Sequence, residues 1–143
     1  MSKIIDLHFS PHAKSPEVPP PRSPDPEALL DRAINGRFIS IHLDWAGLFK
    51  CFVPVEDDVM FIAMAYSELG LLSAANPDHR VFLGDGLFDV RSRLDNNIVE
   101  MVVRYCPHLD ARFLQMKTLT VDALSYREGW SGLMRELVAR VDA

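Results

Sequence analysis

The sequence is poor in the residues that mark secreted domains. It contains two cysteines, Cys51 and Cys106, which are too few for the disulfide framework of a small secreted protein. It has no Asn-x-Ser/Thr sequon, and the scattered apolar residues between Met1 and Phe9 fall short of the apolar region of a signal peptide. We therefore expect a protein of a reducing, cytoplasmic compartment.

Basic residues are also in deficit. Lysine and arginine number 15 against 20 aspartates and glutamates, which gives a net charge of −5. Nucleic-acid affinity depends mainly on clustered lysine and arginine, so this balance disfavours a nucleic-acid partner, although it leaves room for a local basic stripe. The longest apolar stretch is interrupted at Ser67 and Glu68, well before the roughly 18 residues that a membrane span needs, and we expect no membrane association.

The usual catalytic signatures are missing. The sequence has no G-x-x-x-x-G-K-S/T, G-x-G-x-x-G or H-E-x-x-H motif. The run from Gly129 to Gly132 resembles a nucleophile elbow, but its second glycine comes one residue early. Cys106 and His108 are separated by one proline and could form a nucleophile pair. We expect Cys106 at a helix C-terminus, however, where the negative end of the dipole opposes formation of a thiolate. These absences favour a binding protein without a cofactor over an enzyme.

Proline is concentrated near the N-terminus. Seven of the ten prolines lie between Pro11 and Pro26, and proline prevents both helices and inner strands. We predict an extended arm over residues 1–24 and a single domain over residues 25–143. The arm offers PxxP-like spacing at Pro16, Pro19 and Pro20 for an aromatic-lined groove; the alternative is a plain spacer.

The remaining patterns predict an α+β fold with a small, mainly antiparallel sheet. Alternating apolar residues predict a strand over residues 37–43, and residues 48–53 return as its partner in a hairpin. Imperfect alternation over residues 112–121 predicts a strand covered on both faces. Asp25 and Gly36 delimit a first helix, with Gly36 in the left-handed conformation. Ser125 begins the last helix with a capping box. Helical spacing predicts a helix over residues 87–105, with a strand over 87–91 as the alternative.

The segment from Glu56 to Leu72 is apolar on nearly all sides. A soluble helix of this kind must be covered on nearly all sides. We therefore expect it to be the central helix, with Phe61, Met64 and Leu72 buried, around which the sheet and three to four helices pack.

Trp45 is the leading candidate for contact with another protein. It lies at the tip of the predicted hairpin, beside Asp44, and an exposed tryptophan is a favoured interface anchor. The alternative is that Trp45 folds back as a lid over the hairpin. With Pro19 and Pro20 of the arm, Trp45 and Asp44 form the predicted partner-binding set.

A second function class is a small metal-assisted enzyme. His79, Asp85 and Asp89 lie around one predicted turn, and imidazole with carboxylates suits a divalent ion. The same residues also fit a plain tight turn followed by an acidic first helical turn.

The sequence thus favours a small cytoplasmic binding or regulatory protein, of the accessory or neutralising kind, that acts through protein contacts. We expect Trp45→Ala, or removal of residues 1–24, to weaken partner capture without unfolding the domain. The alternating segment over residues 4–9 predicts an edge strand, added to the sheet of this chain or to that of a second copy in a homo-oligomer.

Overall fold

The structure is a computed structural model that describes residues 3–12 and 19–142. These residues form an α+β fold, as predicted, but with two sheets in place of one. The elements, in chain order, are β1 (Lys3–Phe9), α1 (Pro26–Asn35), β2 (Phe38–Trp45), β3 (Phe49–Pro54), α2 (Val55–Glu68), β4 (Asp78–Leu83), β5 (Phe88–Asp95), β6 (Ile98–Tyr105), β7 (Gln115–Asp122) and α3 (Ala123–Asp142).

The first sheet has the order β1-β2-β3. Strands β2 and β3 form the predicted antiparallel hairpin, and β1 pairs with β2 in parallel. Three alternate residues of β1 are completely buried: Ile5, Leu7 and Phe9. The N-terminal strand is therefore an integral part of this chain's own sheet, so the predicted 1–24 arm includes a core element.

The second sheet is an antiparallel meander, β4-β5-β6-β7. The predicted helix over residues 87–105 is wrong, because this stretch forms β5 and β6, joined at Asn96 and Asn97. Asn96 has a φ of 56°, a conformation that asparagine tolerates and that hairpin turns require. Alternating core residues on both strands, with period two, outweigh the helical spacing.

The predicted role of α2 is also wrong. Val59, Ile62 and Tyr66 are buried, and so is Leu72, but Phe61 is 43% exposed and Met64 44% exposed. One face of α2 therefore remains uncovered. The arrangement of three to four helices around a central helix is not present, since the structure has three helices in its described residues and none of them is wrapped in this way.

The centre of the core is instead an aromatic cluster where the two sheets meet. Trp45 of β2 stacks on Phe9 with ring centroids 4.1 Å apart. Trp45 also contacts Trp130 of α3 at 5.6 Å and Phe88 of β5 at 5.7 Å. One face of α3 is buried, at Tyr126, Trp130, Leu133, Met134, Leu137 and Val141. Through this face the helix packs on the aromatic cluster between the two sheets.

The start of α1 agrees with the sequence-based prediction, but its C-terminal end differs in conformation. The Asp25 carboxylate caps α1 by accepting the Ala28 N–H at 3.3 Å. Gly36 is not left-handed, with a φ of −76°; Arg37 takes the positive φ. A Cβ on Gly36 would lie 3.0 Å from the Phe38 ring, so space, not conformation, explains the glycine.

The last helix begins earlier than the predicted capping box. Helix α3 starts at Ala123, and the carboxylate of Asp122 accepts the Ser125 N–H at 2.7 Å. Aspartate is a preferred N-cap residue, so Asp122, and not Ser125, caps the helix. Within residues 3–12 and 19–142, we find no helix long and apolar enough to span a membrane.

Candidate functional site

Trp45 is placed in the core and not on the surface. Its side chain is 1% exposed, which corresponds to the alternative in which it folds back over the hairpin. Asp44 accepts the Gly47 N–H at 3.0 Å and so closes the hairpin turn. Because Trp45 lies at the sheet junction, Trp45→Ala would disturb packing and could not test partner binding on its own.

The described part of the proline-rich segment lies against the helices. Pro19 and Pro20 are exposed, while the Pro21 carbonyl accepts the Tyr66 hydroxyl at 2.6 Å. Pro16 lies outside the described residues. A partner contact through Pro19 and Pro20 stays a prediction.

His79, Asp85 and Asp89 do not come together. The His79 side chain points into the core from β4, whereas Asp89 belongs to the opposite face of the same sheet, and Asp85 is exposed in the turn between β4 and β5. Across the described ranges, no group of three or more histidine, cysteine, aspartate or glutamate residues is arranged to hold a metal ion. The geometry gives no support to the metal-assisted alternative.

His79 instead organises a buried polar network. Its Nε2 donates to the Ala65 carbonyl at 2.6 Å, and its Nδ1 lies 2.5 Å from the Tyr126 hydroxyl oxygen. Ser92 Oγ lies 2.9 Å from the same oxygen. Burial lowers the pKa of His79, so the ring is neutral and Nδ1 accepts from the tyrosine. Both ring nitrogens are thus satisfied, and the network ties α2, β4, β5 and α3 together.

Asp58, at the start of regular helix in α2, is a second buried titratable group. Its carboxylate accepts the Gly84 N–H at 2.9 Å, and this links α2 to the turn after β4. Burial raises the pKa of Asp58 to about 6, with Asp85 and Asp57 adding negative charge nearby. Asp57 itself has a φ of 67°, so the entry into α2 is strained.

An exposed apolar groove runs between α2 and β4, the edge strand of the second sheet. Phe61 and Met64 of α2 form one wall, and Phe82 of β4, 42% exposed, forms the other. Glu68 and Arg80 supply the polar rim of a cavity of about 200 Å³. The sequence places apolar residues on this side of α2, but it does not say that the chain leaves them uncovered.

The outer face of the second sheet carries a cluster of arginines. Arg80, Arg91 and Arg104 come from three neighbouring strands and surround the buried carboxylate of Asp89. Arg80 donates to Asp89 through Nε at 2.9 Å and Nη2 at 3.1 Å. Sequence reasoning missed this cluster because its members are up to 24 residues apart and only the meander aligns them.

Strand β7 forms the other edge of this sheet and is poorly covered. Gln115 to Thr118 are exposed, and Met116 is the largest apolar side chain among them. Phe113 and Leu114 extend the exposed apolar surface into the preceding loop. Six of the eight residues of β7 are thus exposed.

Comparison of the chain with protein-family models, with curated proteins and with solved structures finds no match.

Proposed function

We propose that the protein is a binding protein that regulates or assists another protein, and that the groove between α2 and β4 is its contact surface. The observation that carries this proposal is the exposure of Phe61, Met64 and Phe82 side by side. Contiguous exposed apolar side chains on a soluble domain are typical of sites that a partner covers.

The shape of the groove favours a helical partner segment. Phe61, Met64 and Glu68 follow one another at the i, i+3 and i+7 positions of α2, and seven residues of helix extend about 10 Å. An amphipathic helix of two turns would match that length and place its apolar face between Phe61 and Phe82. Aromatic side chains in such a position are favoured binding anchors.

Charges at the rim orient the partner segment. Arg80 lies over the Phe82 ring, 5.0 Å from its centroid, and Glu68 lies on the opposite wall. We therefore expect the partner helix to carry an acidic residue near Arg80 and a basic residue near Glu68. Such rim pairs contribute orientation and specificity more than affinity.

The proposal is tested by substitution on the groove and at a matched site. Phe61→Glu and Met64→Glu introduce charge into the groove, and Ile34→Glu makes the same kind of change on α1, where Ile34 is also exposed. A photo-crosslinker at position 61 or 34 of the full chain, used in an extract of the source cells, identifies the contacted segment. That segment is then synthesised and its Kd measured.

We expect a stoichiometric crosslink from position 61 to one amphipathic segment, and a loss of affinity of roughly tenfold or more for Phe61→Glu and Met64→Glu. Ile34→Glu should bind as the unsubstituted chain does. Equal affinity of all three variants, with thermal midpoints showing that each is folded, would refute the groove as the contact surface. A crosslinked segment without apolar periodicity would refute the helical partner.

A further inference from the structure

The outer face of the second sheet holds a concave cluster of positive charge. Arg80 lies directly opposite Arg91 in the register of β4 and β5, and Asp89 lies directly opposite Arg104 in that of β5 and β6. Like charges placed opposite one another across strands repel. Three guanidinium groups therefore share one face with a single buried carboxylate among them.

Asp89 compensates only part of this charge. Its oxygens accept from Arg80 at 2.9 and 3.1 Å and from Arg91 at 3.3 Å. Arg104 makes no ion pair with Asp89, and its buried Nε has no acceptor within hydrogen-bond distance among the described residues. The three arginines and one aspartate leave two positive charges uncompensated. A buried guanidinium N–H without an acceptor is unfavourable, so this group is suited to an added anion.

The cluster lines a cavity of about 260 Å³. Phe82 and Leu114 form apolar walls, and Cys106 and Gly86 line the remainder. A concave site with low-dielectric walls concentrates the field of its charges.

The surrounding surface is not uniformly basic, because Asp78 pairs with Arg93 at 3.0 Å and Glu100 lies opposite Arg93. The site therefore suits one discrete anionic group better than a polyanion.

We propose that this pocket binds a phosphate group, either as inorganic phosphate or as a small phosphate monoester. A monoester carries a charge of about −1.5 to −2 near pH 7 and three strong acceptor oxygens, which matches two uncompensated charges. Arginine forks recognise phosphate with paired hydrogen bonds. Arg104 supplies the free donor, Arg91 a second one, and Arg80 stays with Asp89. This site does not depend on the protein-binding groove, although Arg80 and Phe82 line both.

In the test, each probe is titrated into the full chain while the arginine Nε–H signals are monitored by NMR. The probes are inorganic phosphate and O-phosphoserine, with chloride and sulfate at matched ionic strength. We expect a saturable response of Arg104 to both phosphate probes and to sulfate, which has a similar charge and the same tetrahedral acceptor oxygens, and no response to chloride. Arg104→Met should weaken binding roughly tenfold or more. Arg93→Met, which removes the same charge from the same face outside the pocket, should leave the affinity unchanged.

Several outcomes would overturn the site. They are the absence of any saturable change with phosphate, an equal response to chloride and phosphate, and equal weakening by Arg93→Met and Arg104→Met. Should Arg104→Met fail to fold, Arg104→Lys keeps the charge but loses the fork and must still bind more weakly. Phe61→Glu, which disrupts the groove, should bind phosphate normally, so the two proposals fail independently.

Discussion

At the scale of single residues, the tightest constraint lies between α3 and β1. Gly129 faces the ring of Phe9, and a Cβ added to Gly129 would lie 2.6 Å from Phe9 Cε2. Gly132, one turn further along the same helix, has no atom within 4 Å of an added Cβ. The same substitution therefore has opposite consequences at two neighbouring positions.

We predict that Gly129→Ala destabilises the fold by about 1–3 kcal/mol, because the Phe9 ring must shift within a packed cluster. Gly132→Ala should instead stabilise it by up to about 1 kcal/mol, since alanine is the better helix former. Urea denaturation of both variants measures the two changes. Equal effects of either sign would contradict the close contact with Phe9.

Asp58 makes the stability of the fold depend on pH. Its pKa is about 6 in the folded state, against 3.8 for the free side chain, so folding favours the protonated acid. Its stabilising contribution is complete below about pH 3.8 and is lost as the pH rises through about 6. Asp58→Asn removes this ionisation and keeps an acceptor for the Gly84 N–H.

We predict that the difference in unfolding free energy between Asp58→Asn and the unsubstituted protein shifts by about 2 kcal/mol in favour of Asp58→Asn when the pH is raised from 4.5 to 7.5. The lowered pKa of His79 acts in the opposite direction, with stability falling as the pH drops below about 6.5, but it affects both proteins equally. Urea denaturation at the two pH values measures the difference. Asp31→Asn, on the exposed side of α1, controls for the loss of one negative charge. A pH-independent difference would argue against a buried Asp58 carboxylate.

At the scale of elements, β1 decides whether the N-terminal segment can be removed. Ile5 is fully buried and Ile4, its neighbour, is 49% exposed. Alternation along a strand explains this contrast. The expectation that a chain lacking residues 1–24 stays folded does not follow from this structure, because that deletion removes a strand of the first sheet.

We predict that Ile5→Ala costs about 2–5 kcal/mol of stability, as is usual for truncation of a buried isoleucine. Ile4→Ala should change stability by less than about 1 kcal/mol. Chemical denaturation distinguishes the two, and removal of residues 1–10 should abolish the cooperative transition. Little effect of Ile5→Ala would mean that β1 is dispensable.

Two of the elements that the sequence predicts correctly carry clear capping or turn residues. Asp25 and Pro26 define the start of α1, and the turn from Asp44 to Gly47 defines the β2–β3 hairpin. The helix predicted over residues 87–105 is wrong, because Leu87, Val90 and Leu94 fit a helical stripe as well as parts of a strand. Pairing with β4 and β7 selects strands over a helix here, and this pairing cannot be seen in the local sequence.

At the scale of the whole molecule, the sequence does not indicate which surfaces stay uncovered. The exposure of Phe61 and Met64 depends on where β4 passes α2, and the arginine cluster depends on the register of β4, β5 and β6. Both candidate sites are therefore products of tertiary placement. The fully buried Trp45 shows the converse, because a residue at a hairpin tip finds its partners in distant elements.

Both tryptophans of the protein belong to the aromatic cluster between the sheets, with their rings 5.6 Å apart. The tryptophan fluorescence of the protein therefore reports on one place, the aromatic cluster between the two sheets. Separation of the two sheets should shift the emission wavelength of both tryptophans together. The arginine cluster lies on the opposite face of the second sheet, so we expect binding there to change this emission little and to need a separate spectroscopic label.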